Sequence, residues 1–429
     1  MFTKQFSRDN SLHRFGTKPN VSVGQKQLML FDLVVGGHHG SYIQHLVEYW
    51  VNQNLSSKLH IVVSPRFLER HADVAELISE HSLENINLVV ITSEEEAALN
   101  SNGSKIKRSL RAIREWNLLC KYAKSLEATH CLIMYFDTCW LPLVLGKKAP
   151  CDFSGIYFRP TLHYRNFADY SASGNEKLPR WREKLTLTRI LGHSQLQTLF
   201  CIDPFAPKFI EDQFQSSVQV LPLADPVKMD CDSKLPLKDL KDKLGIEANR
   251  KVFLLFGALT GRKGVNQLLE SISFLPPELC RQICFLIVGE GNQQLIEAQA
   301  ASICQTKPLQ VISHCQFVPE EDVPKYFQLS DFVLAPYQRH IGMSGILLLA
   351  AAAQKPILSS NYGLMGELVR RYCLGLAVDS TVPREIANGI AECLHKSPEQ
   401  LGDRQQMLAF AEQNSVERFA QVIFEHLAG

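Results

Sequence analysis

One unit recurs along this chain and constrains its fold more than any other feature: a short apolar run, a glycine, then a stretch with helical periodicity. Residues 28–35 (LMLFDLVV) end at Gly36-Gly37-His38-His39-Gly40, and residues 42–51 follow with the apolar spacing of a helix. Further apolar runs stand at residues 59–64, 87–92, 130–136, 153–158 and 218–221, with helical stretches between them, such as 106–126. Strands that are apolar throughout, alternating with helices, predict a parallel sheet covered on both faces.

The alternation pauses at LADPVKMDCDSKLPLKDLKDKLGIEANR, a polar, proline-bearing stretch that reads as a domain boundary. It then restarts. Strands are expected at 251–256, ending at Gly257, at 284–288, ending at Gly289-Glu290-Gly291, and at 310–313, 332–335 and 356–359. Helices are expected at 266–273, 323–329, 345–354, 367–372, 384–396 and 415–427. The expected organisation is α/β, two Rossmann-like domains facing across a cleft. A mobile tail spans 1–22, the first domain 23–225, a linker 226–250, the second domain 251–405, and a C-terminal helix 406–429.

Composition narrows the function classes. The 429 residues carry a formal net charge of +1, so the basic excess of a nucleic-acid binder is missing. The 12 cysteines include no C-x-x-C pair, the spacing that zinc ribbons and thioredoxin-like sites require. Many sit in apolar runs and read as small core residues, which fits a reducing compartment. The N-terminus has no apolar h-region, and no run is long enough to span a bilayer, so a cytoplasmic protein is expected.

In open parallel sheets, ligands bind outside the carboxyl ends of the strands. Four stretches fall there. Gly36 and Gly37 open a helix and read equally as an anion loop or a tight turn. In FGALTGRKGVNQLL, Arg262 and Lys263 follow Gly257, and two cations ahead of a helix suit a diphosphate. FLIVGEGN places Gly289 after a buried strand. In GMSGILLLAAAAQKP, Ser344 is an expected N-cap and Gly345 leaves room beside the first turn, whose N–H groups can hold a phosphate.

These stretches, in the order FGALTGRKGVNQLLES, FLIVGEGN, HCQFVPEEDVPKYFQLSDFVLAPYQ and GMSGILLLAAAAQKPILSSNYGLMGELV, resemble the C-terminal half of retaining glycosyltransferases of family GT4, with a GT-B fold. The resemblance covers about residues 250–380. It implies transfer of a sugar from a nucleotide-sugar to a glycan or lipid-linked acceptor with retention, as in polysaccharide biosynthesis. It implies no resident cofactor and no metal. Lys263 falls on the family's diphosphate lysine; the partner arginine is replaced by Ala258, and Arg262 stands beside Lys263. Backbone near Phe317 would line the nucleobase site, and Gly37 would approach the diphosphate from the other domain. Two family glutamates are replaced by Ile341 and Leu349. At the strand ends of the first domain, Asp137 is the preferred catalytic candidate over Arg159 and His163. Departure of the diphosphate would be eased by Lys263, Arg262 and the helix start at Ser344, the acceptor proton passing towards the leaving phosphate.

The replacements at 258, 341 and 349 also suit a second class, a GT-B protein that binds a nucleotide or partner without catalysis. A sugar-nucleotide epimerase is a third possibility, without an evident acid–base set. The stretch LPRWREKLTLTRIL, residues 178–191, mixes cations with Trp181 and leucines; it reads as a solvated helix face or as a peripheral membrane contact.

Overall fold

The structure, a computed structural model, describes residues 26–36, 39–80, 85–100, 104–170, 177–228 and 237–427. The expected tail 1–22 and Gly37 lie outside the described residues.

Two parallel sheets form the frame. The first contains β1 (Gln27–Phe31), β2 (Lys58–Val63), β3 (Ile86–Val90), β4 (His130–Ile133), β5 (Asp152–Tyr157), β6 (Leu196–Cys201) and β7 (Gln219–Pro222), in the order 3-2-1-4-5-6-7. The second contains β8 (Lys251–Phe256), β9 (Ile283–Val288), β10 (Gln310–His314), β11 (Phe332–Ala335), β12 (Ile357–Ser360) and β13 (Gly375–Val378), in the order 10-9-8-11-12-13. Every strand pair is parallel.

Alternation of side chains explains the continuous apolar runs. In β1, Met29 and Phe31 enter the core on one face, and Leu28 and Leu30 the core on the other. In β8, Val252 and Leu254 face one core, and Phe253 and Leu255 the opposite one. Both sheets therefore bury two faces, and helices cover each.

The strand order reverses between β1 and β4 in the first sheet and between β8 and β11 in the second. A crevice opens outside the carboxyl ends of strands at such a switch point.

Some elements differ from expectation. Strand β1 stops at Phe31, because the Asp32 carboxylate accepts from the Val34 N–H at 3.0 Å and bends the chain into an Asx turn. The polar stretch 226–250 carries a helix, Leu237–Leu244, whose Leu237, Leu240 and Leu244 pack against the core of the second lobe. The chain beyond residue 403 forms two helices, Arg404–Gln413 and Val416–Leu427, broken at Asn414. The last of these crosses back to the first lobe, where Phe419, Ile423 and Phe424 pack with Leu46 and Trp50. Among the described residues, no helix is long and apolar enough to cross a membrane.

Candidate functional site

At the second switch point, two loops are laced together. Gly264 has φ +75°, and a Cβ there would stand 2.1 Å from the Pro336 carbonyl oxygen. The Gln338 N–H donates to the Arg262 carbonyl at 2.8 Å. The loop after β8 is thus held directly against the loop after β11.

Lys263 sits at the centre of this junction, only 7% exposed. Its Nζ donates to the Phe256 carbonyl at 3.0 Å and to the Tyr337 hydroxyl, and lies 4.4 Å from the Tyr337 ring centroid. Arg262 approaches the same ring, its guanidinium carbon 5.5 Å from the centroid. Ser344 donates its hydroxyl to Tyr337 at 3.2 Å. Tyr337, which sequence reasoning passed over, therefore joins three of the expected donor-site residues. Its signal was faint: one aromatic between two motifs.

Ser344 occupies the N-cap position of the helix Gly345–Ala352 but makes no side-chain cap, since its hydroxyl is turned to Tyr337. The first turn of the helix is left without a side-chain cap, at the end that attracts anions. Ile341 and Leu349 pack against the apolar core of the second lobe.

His340 adds a fixed neutral imidazole. Its Nδ1 accepts from Arg262 Nη1 at 3.1 Å, and its Nε2–H donates to the Met343 carbonyl at 3.2 Å. Burial, joined by the nearby Arg262, Arg159 and Lys263, pushes its pKa down to about 4. A neutral ring can thus accept from the guanidinium and hold its direction.

The glycines divide by role. Gly257 has φ +107°, and a Cβ would come within 2.9 Å of Lys263 Nζ, so its absence leaves space for the ammonium. At Gly289, φ +125°, a Cβ would stand 2.3 Å from the Gly257 carbonyl oxygen. Gly289 thus allows two strand ends to approach; it packs on Gly257. Phe317 stands apart from this cluster, 70% exposed on the loop after edge strand β10. Gly36 is exposed at the end of the first-lobe loop.

The first lobe supplies the facing wall. Asp137 follows β4 in a short 3-10 turn, Phe136–Thr138, and its Oδ2 accepts from the Phe158 N–H at 2.9 Å. Burial pushes its carboxyl up to about 6, against the pull of that N–H and of Arg159. Arg159 is exposed at the end of β5. The lobes meet here: a Cβ on Gly342 would stand 3.8 Å from the Phe158 carbonyl oxygen and 3.9 Å from Arg159 Cγ. His163 is neither a surface residue nor free. It is buried, and its Nε2–H donates to Asp203 Oδ2 at 3.0 Å among Tyr164, Phe167 and Phe209.

A pair that sequence reasoning missed lies at the first switch point. His39 Nδ1 is 2.6 Å from Asp32 Oδ2, and Asp32 is buried. The available signal was a lone acid within LMLFDLVV followed seven residues later by a histidine. Among the described residues, no group of three or more His, Cys, Asp or Glu is placed to hold a metal ion.

This arrangement has recognisable relatives. The family profile Glycosyl transferases group 1 matches residues 238–413. The Bacillus subtilis protein YtcC is 27% identical over 146 residues, 33% of this chain and 36% of its own length. The lipopolysaccharide glucosyltransferase WaaG of Escherichia coli is 26% identical over 238 residues, 53% of this chain and 56% of its own. The chain thus spans about a third to a half of the length of these curated relatives. The structure of Anabaena HepE, solved in complex with UDP, superposes with a TM-score of 0.63 at 15% identity, covering 94% of this chain and 100% of HepE. The profile match and the two parallel sheets agree: residues 238–413 carry a region similar to the glycosyl transferases group 1 family, within a chain built on a GT-B fold.

Proposed function

We propose that this protein is a glycosyltransferase that moves a sugar from a nucleotide-sugar donor to a glycan or lipid-linked acceptor, with retention at the anomeric carbon. The observation that carries the reading is the convergence of Lys263, Arg262 and Ser344 on Tyr337 at the carboxyl end of β8 and β11. Two cations and an uncapped helix start are the groups that meet the charge growing on a departing diphosphate. The proposed acceptor side is the wall formed by Asp137 and Arg159. The relatives' names point the same way: HepE was solved with UDP, and WaaG acts in lipopolysaccharide synthesis.

The acceptor's class has its own support. The helix Lys177–Leu191 exposes Trp181 and Leu185 beside Arg182 and Lys184. Such a surface suits peripheral contact with an anionic membrane that carries the acceptor, on its cytoplasmic side.

One observation favours a second reading, a GT-B subunit that binds nucleotide without turnover. Ile341 and Leu349 lie against the core where side chains that hold a sugar are expected. Calorimetry with UDP, GDP, ADP and their sugar conjugates, followed by assays of nucleotide release, separates the two. Binding of one nucleotide is expected, weakened about tenfold to a hundredfold by Lys263→Ala, the loss of a charge-assisted hydrogen bond. Turnover of the sugar conjugate supports transfer, and its anomeric configuration in the product tests retention. Binding without turnover supports the subunit reading, and no binding overturns the donor site.

A further inference from the structure

Arg262 is held at both ends by one short loop. Its carbonyl accepts from the Gln338 N–H at 2.8 Å, and its Nη1–H donates to His340 Nδ1 at 3.1 Å. Gln338 is itself tied down, its Nε2 donating to the Pro336 and Ser380 carbonyls at 2.8 Å each. Between Gln338 and His340, Arg339 adopts φ +45°, a left-handed conformation that side chains rarely take. Gly342 follows at φ +102°. A backbone strained at a non-glycine position keeps its path only where its surroundings impose it. Here the path brings the imidazole back to the guanidinium.

The two partners of the ring set its state. The Met343 carbonyl, 3.2 Å from Nε2, can only accept, so Nε2 carries the proton. A guanidinium can only donate, so Nδ1 presents its lone pair. An imidazolium would set N–H against N–H and break the contact with Arg262. The ring is half-buried and stands edge-on to Tyr337, centroids 5.5 Å apart. Met343 immediately precedes Ser344, so the far side of the ring is tied to the start of the helix Gly345–Ala352.

One nitrogen of the guanidinium is thereby committed. Among the described residues, Arg262 Nη2 and Nε have no hydrogen-bond partner. These two N–H groups form one edge of a rigid plane, and such an edge takes two phosphate oxygens side by side. With Nη1 held, the plane is set before a ligand arrives, and less side-chain freedom is lost on binding. We infer that His340 is a positioning residue: it holds Arg262 so that the Nη2–Nε edge takes the diphosphate of the donor, and it makes the site prefer a nucleoside diphosphate to the corresponding monophosphate. The inference rests on the proposed donor site and adds a residue to it.

The test uses the full chain and calorimetry with UDP, GDP or ADP, whichever the wild type binds, beside the matching monophosphate. His340→Phe keeps an aromatic ring against Tyr337 and removes the acceptor. It is expected to weaken diphosphate binding about tenfold and to leave the monophosphate within about threefold. Arg262→Ala is expected to do the same. In the Arg262→Ala background, His340→Phe should have no further effect, since the residue acts only through the guanidinium. His340→Asn, whose amide oxygen can stand in for Nδ1, should restore diphosphate affinity to within about threefold of wild type. A His340→Phe effect on the diphosphate below about threefold overturns the inference. Tighter binding overturns it too, because the ring would then be parking Arg262 away from the ligand. Equal losses for both nucleotides, or a His340→Phe effect that persists without Arg262, mark a structural role and also overturn it. If Arg262→Ala changes nothing while Lys263→Ala weakens binding, the inference fails and the donor site stands. A wild type that binds no nucleotide overturns the donor site, and this inference with it.

Discussion

Asp137 holds its proton more tightly in the fold than in the open chain. Burial raises its carboxyl to about 6, so folding favours the protonated form. The sign follows by linkage: the group contributes its full stability below the ordinary carboxylate value and loses it as pH rises through about 6. Asp137→Asn keeps an acceptor for the Phe158 N–H and removes the titration. Urea unfolding between pH 4 and 7 is expected to show the wild type losing up to about 2 kcal/mol relative to the variant over that range. A constant difference between the two proteins would reject the assignment. The residue scale was also the least legible one. Lys263 is legible through the order of its neighbouring motifs, which places it on the family lysine; a basic turn alone is common. Asp32 is not, because it lies inside an apolar run that reads as continuous strand, and only the turn it closes reveals its direction.

At the scale of elements, the helix Gly345–Ala352 shows how packing and site depend on each other. Leu347 and Leu348 are fully buried, so the helix is anchored through its apolar face and its start is carried to the crevice. Leu347→Ala is expected to cost about 2–5 kcal/mol of stability, read by chemical denaturation. If the anchored helix sets the phosphate-binding end, nucleotide affinity should fall in the same variant under conditions where it remains folded. Most elements were legible because parallel strands buried on both faces are apolar throughout. Two strands escaped for physical reasons. In β6, Gln197 and Thr198 interrupt the apolar run, although Gln197 merely points outward to Asp152. Strand β13 is a four-residue edge that is only half-buried, too short to carry a period. The charges of the helix Leu237–Leu244 dominate its sequence and give it the look of a linker; its three leucines fall on one face, and that face is what packs.

At the scale of the molecule, the lobes are tied by the chain itself. Val227 donates to the Asn414 carbonyl at 3.0 Å, and Asp225 N–H to the Asn414 side chain at 3.1 Å, so both crossings between lobes run side by side. Beyond them, the helix Val416–Leu427 completes the core of the first lobe. Its amphipathic spacing was visible in the sequence, but the partner of its apolar face was not, since no local pattern encodes a contact almost 400 residues away. Phe419→Ala is expected to cost about 3–5 kcal/mol and Ile423→Ala about 2–5 kcal/mol. Hydrogen exchange should then rise in the helix His39–Asn52, which packs against them, and stay slow in Arg404–Gln413, which belongs to the other lobe. This placement also governs the order in which the protein can mature on the ribosome. The strands of the first lobe emerge early, yet the apolar face around Leu46 and Trp50 stays uncovered while residues 251–413 are still being translated. The nascent lobe must wait, sticky on one side, for a helix made after the second lobe. A chaperone that shields that face during elongation is expected to raise the yield of folded protein.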